Sequence, residues 1–234
     1  MNALWNTFLY EPIYNALVFT AQHLAFKDVG LAVVIVTILI RFILMPLSKK
    51  SIVSQYKMRL LQPKLDAIKS RGLTKEQESK EQFALYKTEG INPFSGCLYL
   101  LIQLPILFAL YFAFIKGIDQ PTHLYSSLST EGLKNMFLGL VDITKPFLPF
   151  AILAGVTQAI QAFLMPKPPA TTGTGFQAQF TKSLSMQTKY VLPIIIIFIS
   201  AKLASAVALY WVITNIFSIA QELYFRKTLK LTAN

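Results

Sequence analysis

Residues 29–47, VGLAVVIVTILIRFILMPL, form an apolar run of bilayer-crossing length with one arginine, Arg41, inside it. A guanidinium in hydrocarbon costs about 2.5 to 3.5 kcal/mol on insertion scales, so its presence calls for water, a partner or a task. At about 1.5 Å of rise per residue Arg41 lies roughly 9 Å inward from Leu47, within snorkelling reach of the interface but not at it. Two readings stay open: a snorkelling anchor, or one wall of a hydrated cavity.

Other runs place the chain among polytopic membrane proteins. Hydrophobic residues make up 54% of its 234 positions, and the mean hydropathy is +0.50. Residues 94–115 and 146–166 each exceed 20 positions without a charge, and residues 190–221 are interrupted only by Lys202. Charge asymmetry divides that last stretch. With spans at 189–203 and 206–223 the chain crosses five times, and 48–92, 166–189 and 224–234 all fall on one side. Those segments carry 16 of the 22 Lys and Arg residues. Positive-inside bias then predicts the N-terminus outside and the C-terminus in the cytoplasm. The expected architecture is all-α: one membrane domain over 1–234, with five transmembrane helices.

At the N-terminus, Leu4, Trp5, Phe8, Leu9, Ile13, Leu17 and Leu24 recur at helical spacing, with polar residues between them. This predicts an amphipathic helix over 3–25, lying along the outer interface or packed flat on the spans. Residues 48–92 read as a cytoplasmic helical hairpin: Gly72 ends one arm, and Thr74 with Gln77 has capping-box spacing at the start of the other. Tyr56, Leu60, Pro63, Leu65 and Ile68 are expected to face Phe83 and Tyr86, and Glu76 with Lys80 forms an i,i+4 pair. An outer loop is expected over 117–145 with a short helix from about Ser129 to Phe137. Residues 167–188, rich in Pro, Gly and Thr, read as a cytoplasmic loop, and 224–234 as a short tail.

Polar residues inside the spans carry the functional reading. Thr37 lies one turn from Arg41; Tyr99 and Gln103 share a face of span two, Gln158 and Gln161 one of span three. Trp211, Asn215, Ser218 and Glu222 make a stripe down the last span. Each taken singly reads as interhelical hydrogen bonding; together with a buried arginine they suggest a shared hydrated cavity. The net charge of +11 points to anionic lipid headgroups, with ribosomal RNA as a second partner. Cys97 is the sole cysteine, which excludes disulfides within the chain and cysteine-ligated metal sites. No cofactor or metal is expected. H-E-x-x-H, G-x-S-x-G and the phosphate-binding G-x-x-x-x-G-K-[ST] are all absent, so an enzyme is not the expectation. A small-solute channel or transporter is the alternative, although no ionisable relay lies deep in a span.

The segments TILIRFILMPLSKKS (37–51), INPFSGCLYLLIQLPILFALYFAF (91–114) and ALYWVITNIFSIAQE (208–222) resemble, in order, the best-marked segments of the YidC/Oxa/Albino-type membrane protein insertase family. The resemblance implies a five-helix core around a hydrophilic groove, open to the cytoplasm and to lipid and closed on the outside. Arg41 takes the place of the groove arginine, and Thr37, Gln103 and Trp211 match groove positions; Asn215 and Gln158 are added from their polar faces. The resemblance also implies nascent membrane proteins as substrates, with the Sec translocon and the ribosome as further partners, in a bacterial plasma membrane. The chain departs from the family in having Cys97-Leu98-Tyr99 where C-x-P is common, and Ala204-Ser205-Ala206 where a proline-glycine turn is common. It is similar to a minimal bacterial version, without a large periplasmic domain or a long basic tail. A functional monomer is the simpler expectation, since the groove would lie within one chain.

Overall fold

The computed structural model describes residues 3–92, 95–115, 118, 123–165 and 186–232. Most of the loop expected at 167–188, the side chains of Cys97 and Tyr99 in span two, and the end of the tail lie outside the described residues. The chain starts with a short turn, Ala3–Trp5, and a π-helical turn, Asn6–Tyr10, which run into helix α1, Glu11–His23. Tyr10, Tyr14, Leu17, Val18 and Ala21 are fully or almost fully buried, while Leu4, Phe8 and Leu24 are exposed. The helix therefore packs on the bundle through a face offset from the expected stripe, and much of that stripe points outward. Asn15, a polar position of the amphipathic pattern, is buried and fastens the loop beyond. Its Nδ2 donates to the His123 carbonyl at 2.7 Å, and its Oδ1 accepts from the Tyr125 N–H at 2.8 Å.

Asp28 caps the next helix, α2 (Val29–Ile43), by accepting the Leu31 N–H at 2.8 Å. The chain then bends by 60° and continues as α3, Met45–Leu60. Pro46 sits in the first turn of α3, where its missing N–H costs nothing. The apolar run 29–47 is thus one helix and the first residues of a second. Helix α4 (Gln62–Ser70) restarts at Pro63, and α5 (Lys75–Thr88) opens with a reciprocal Thr74–Gln77 capping box. Gly72 takes a φ of +66° between them. Leu61, Leu65 and Ile91 are the buried seam of this hairpin, joined by Met58, Leu85 and Tyr86. Leu60 and Phe83, expected inside, are exposed. Leu61, at the break between α3 and α4, takes the buried position in place of Leu60. Lys64 to Glu89 at 2.5 Å and Arg71 to Glu81 link the arms at the surface, and burial pushes the Tyr86 hydroxyl pKa up.

Helix α6 covers Ser95–Ile115 and carries Pro105 inside. Where a short helix is expected from Ser129 to Phe137, turns lead into a β-hairpin, β1 (Met136–Phe137) with β2 (Val141–Asp142). Left-handed φ values at Gly132 (+72°), Leu138 (+53°) and Gly139 (+70°) are incompatible with helix. The Asp142 carboxyl is held below its usual pKa, chiefly by the Thr144 hydroxyl and then by Lys145. Helix α7 spans Leu148–Leu164; a π-helical turn, Gln187–Val191, leads into α8, Leu192–Ser200, and α9 spans Ser205–Thr232.

Among the described residues, α9 is long and apolar enough to cross a membrane alone, as are α2 and α3 if the bent pair is one span. Leu101–Ile115, Leu148–Leu164 and Gln187–Ser200 are apolar and shorter. Large apolar side chains are exposed on nearly every long helix, among them Phe42, Phe108, Phe163, Phe198 and Tyr224. Apolar exposure on this scale marks a surface that meets something other than water.

The main core lies at one end. It joins α1, the first half of α2 (Val29, Ala32, Val33, Val36), the second half of α6 (Ile106, Ala109, Leu110, Ala113, Phe114), Ile143, and the start of α9 (Ala206, Leu209, Tyr210). Close helix contact is set by glycine. A Cβ on Gly155 of α7 would stand 2.2 Å from Ile197 Cγ1 and 2.9 Å from the Pro193 carbonyl oxygen of α8. Gly155→Ala is therefore expected to separate these helices and destabilise the protein by about 1 to 3 kcal/mol. A fall of several degrees in the detergent-solubilised unfolding midpoint would register this; an unchanged midpoint would mean the helices can shift freely.

Candidate functional site

Beyond the core, the same helices carry buried polar side chains. Thr37 and Arg41 of α2 are 1% and 4% exposed, and along α9 Thr214, Asn215, Ser218, Gln221 and Glu222 are each 9% or less. Ser48 and Ser51 of α3 are likewise buried. The boundary is sharp along α2: Val36 belongs to the apolar core, and Thr37 is the first buried polar residue after it. The Thr37 hydroxyl donates to the Val33 carbonyl at 2.6 Å, closing its own helix turn.

The six expected site residues separate into distinct environments. Thr37 and Arg41 are buried on α2, while Gln103 of α6, Gln158 of α7 and Trp211 of α9 are half-buried. Asn215 acts as interhelical glue: its Nδ2 lies 3.2 Å from the Ala154 carbonyl and 3.1 Å from Thr157 Oγ1. Three residues on from Asn215 and from Gln158, Ser218 and Gln161 border open space.

That space is a cleft of about 440 Å³, part of it open to solvent, between α3, α7 and α9. Its polar lining is Ser48, Ser51 and Gln55 from α3, Gln161 from α7, and Ser218, Gln221 and Glu222 from α9, with Ile52, Leu164, Met165 and Ile219 as apolar walls. Ser218 and Glu222 belong to the polar stripe read from the sequence, and Gln161 shares the Gln158 face. Ser48, Ser51, Gln55 and Gln221 are not anticipated. The first three fall on one face of α3 at intervals of three and four, a pattern visible in the sequence but masked by the lysines between them.

Hydrogen bonds join the walls. The Ser48 hydroxyl shares its proton between the Met45 carbonyl at 3.0 Å and Gln221 Oε1 at 3.2 Å, tying α3 to α9. Gln55 Nε2 donates to Ser51 Oγ at 3.1 Å. Arg226 Nε donates to Glu222 Oε1 at 2.9 Å, and its Nη2 donates to the Leu164 carbonyl at the end of α7. The arginine thus caps one helix and answers the carboxylate of another. No group of three or more His, Cys, Asp or Glu side chains is arranged to hold a metal among the described residues.

Residues 21–232 match the profile of the family described as 60Kd inner membrane protein. The chain belongs to that family. A membrane protein insertase YidC of Oceanobacillus iheyensis is 32% identical, over 97% of this chain and 85% of its own length. One of Clostridium tetani is 36% identical, over 85% of this chain and 81% of its own length. Another, of Ectopseudomonas mendocina, is 32% identical over 98% of this chain, which spans only 36% of that relative. A crystal structure of an active YidC insertase superposes with a TM-score of 0.59 at 25% identity, covering 90% of this chain and 45% of that one. These relations identify a mostly helical bacterial inner-membrane protein of the insertase family.

Asn215 offers a test of glue against groove. Asn215→Ala and Thr157→Ala should show a coupling of about 0.6 kcal/mol in a double-mutant cycle of unfolding. Additive effects would mean that the two side chains do not depend on each other.

Proposed function

We propose that this chain is a membrane protein insertase that takes small integral membrane proteins from the cytoplasmic side without nucleotide hydrolysis. One observation carries the reading: a bundle sealed by an apolar core at one end contains buried polar side chains and an arginine at the other. In this reading α2, α6, α7, α8 with its preceding turn, and α9 are the five spans. The core end faces outward and the hairpin of α4 and α5 lies in the cytoplasm, with the N-terminus outside and the C-terminus inside. Thr37, Arg41, Gln103, Trp211, Asn215 and Gln158 form the polar interior, and the cleft is its lateral mouth. The family and the insertase names of its relatives support this reading.

The energetics are straightforward. A substrate span gains roughly 0.3 to 0.6 kcal/mol per strongly apolar residue on entering the bilayer. The obstacle is the polar segment that must cross, and a wet interior reaching partway shortens its path through hydrocarbon. Arg41 attracts acidic groups on that segment, and a membrane potential adds about 2.3 kcal/mol per negative charge moved outward across 100 mV. Anionic lipids would hold the basic cytoplasmic segments, and one chain suffices for the site. The Sec translocon and the ribosome are the proposed partners. The protein is not an enzyme in this reading. A solute channel would need the core end to open, and Tyr10, Tyr14, Leu17 and Ile143, each at most 1% exposed, fill it.

Arg41→Ala should impair insertion of substrates with acidic translocated segments about tenfold or more, as expected from loss of at least one buried charge contact, and spare strongly apolar ones. Equal loss for all substrates in a reconstituted insertion assay would assign Arg41 to folding. In a Cys97→Ser background, cysteines replacing Thr37, Arg41 and Gln103 should react with an impermeant thiol reagent from the cytoplasmic side only, since thiolate forms where water reaches. Reaction from both sides would favour a channel; none from either would leave these side chains as buried glue.

A further inference from the structure

Two bulky apolar side chains stand where neither conformation nor water favours them. Phe26, in the turn between α1 and α2, has a φ of +52° and is 88% exposed; Leu138, in the turn of the β1–β2 hairpin, has a φ of +53° and is 60% exposed. The hairpin turn closes with the Leu140 N–H donating to the Phe137 carbonyl at 3.0 Å, and Leu138 and Gly139 between them are both left-handed. Asn-Gly is the usual pair for such a turn. Here it is Leu-Gly, followed by Leu140 at 82% exposure. A side chain with a Cβ is strained at such a φ, and hydration of its apolar surface adds a second cost. An outlier of this kind points to a use for side chains held outward.

Both turns belong to one end of the bundle. The Lys134 N–H donates to the Lys27 carbonyl at 2.7 Å, and the Lys134 carbonyl accepts from the Val29 N–H at 3.0 Å, so the Phe26 turn pairs with the segment that leads into the hairpin. Phe137 packs edge-on against Phe150 in the first turn of α7, with centroids 5.7 Å apart. From that end α7 presents Leu148, Ile152, Val156 and Ile160 outward at intervals of four, so an exposed apolar face runs down the helix from the hairpin.

These tips suit a fluid rather than a rigid partner. Phe26, Leu138 and Leu140 protrude from turns, so a protein would need a pocket for each, whereas lipid closes around any shape. Charge does not select the partner either, because Lys27, Lys134 and Lys145 are balanced by Asp28, Glu131 and Asp142 in the same two segments. We infer that the β1–β2 hairpin tip and Phe26 insert into the outer leaflet at the headgroup–acyl boundary, held by apolar burial and indifferent to lipid charge. Side chains at that boundary reach about 5 to 10 Å into the leaflet. The inference rests on the reading in which the core end faces outward and the long helices are spans. The inserted hairpin then fixes the height of the bundle in the bilayer, since its segment is bonded to the start of α2 and, through the Ser205 N–H and the Lys145 carbonyl at 2.9 Å, to the start of α9.

The experiment uses the full chain in phosphatidylcholine liposomes, in a Cys97→Ser background, with a fluorophore attached to a single cysteine at Leu140→Cys, Glu131→Cys or Val156→Cys. Quenching is read with iodide on both faces, and with phospholipids that carry a nitroxide near the glycerol or at the chain end. The probe at 140 should be quenched by the glycerol-level nitroxide and shielded from iodide, and the probe at 131 should show the reverse. Adding phosphatidylglycerol should change neither. Leu138→Asn suits the left-handed turn, so it should not lower the unfolding midpoint in detergent, yet it should expose the probe at 140 to iodide in liposomes. Iodide quenching at 140 equal to that at 131, or shielding that appears only with phosphatidylglycerol, would overturn the inference. So would shielding without nitroxide quenching, which would mean that a second copy of the chain covers the tip, or a lowered midpoint for Leu138→Asn with the shielding unchanged. Val156 lies in the middle of α7, and its probe should be quenched by the chain-end nitroxide. Quenching at 156 without quenching at 140 removes only the hairpin contact, while none at 156 removes the reading of α7 as a span.

Discussion

The segment between α6 and α7 fastens the bundle at one end through main-chain hydrogen bonds. The Val29 N–H donates to the Lys134 carbonyl, and the Lys134 N–H donates to the Lys27 carbonyl, so the segment pairs with the entry to α2. Further on, the Ser205 and Ala206 N–H groups donate to the Lys145 and Ile143 carbonyls, so the same segment supplies acceptors for the first turn of α9. Helix starts leave four such donors unpaired, and near lipid few other acceptors are available. Gly30 completes the fastening, because a Cβ there would stand 2.6 Å from Phe137 Cβ. With α2 and α9 held together at this end, the apolar core forms around them, and the buried polar side chains follow further along both helices.

The division between core and cleft follows from where each helix changes character. Along α2 the change comes between Val36 and Thr37; along α9 it comes after Val212, with Thr214 and Asn215. In α6 the order is reversed, Gln103 preceding the buried run from Ile106, because that helix runs the opposite way. Apolar core and polar positions are thus separated along each of the three helices, an order that fits the proposed polar interior.

Much of this was legible in the sequence. Charge-free runs locate the long helices because hydrocarbon tolerates few charges, and the Thr74–Gln77 spacing located a helix start to the residue because capping is local chemistry. Arg41 was legible as an arginine inside an apolar run, but the sequence left both a snorkelling anchor and a cavity wall in play; it is 4% exposed. The hairpin at Met136–Asp142 was not legible: its strands are only two residues long, and Gly139, at a φ of +70°, is the one turn signal between them. The stripe of Trp211, Asn215, Ser218 and Glu222 was read as one face; yet Asn215 turns to α7 while Ser218 and Glu222 open on the cleft, because the neighbour changes along the helix. Gln221 escaped because its importance depends on Ser48, 173 positions away.

The 60° bend between Ile43 and Met45 has a mechanical corollary. Helix α3 is at once a wall of the cleft and the root from which α4 and α5 project. Its cleft residues lie within about 15 Å of the bend, whereas the two arms from Met45 to Ser70 extend for roughly 35 Å if laid end to end. The hairpin is therefore rooted in the same helix that supplies Ser48, Ser51 and Gln55 to the cleft, so any change in the direction of α3 at Leu44 would move the two arms and the cleft wall together.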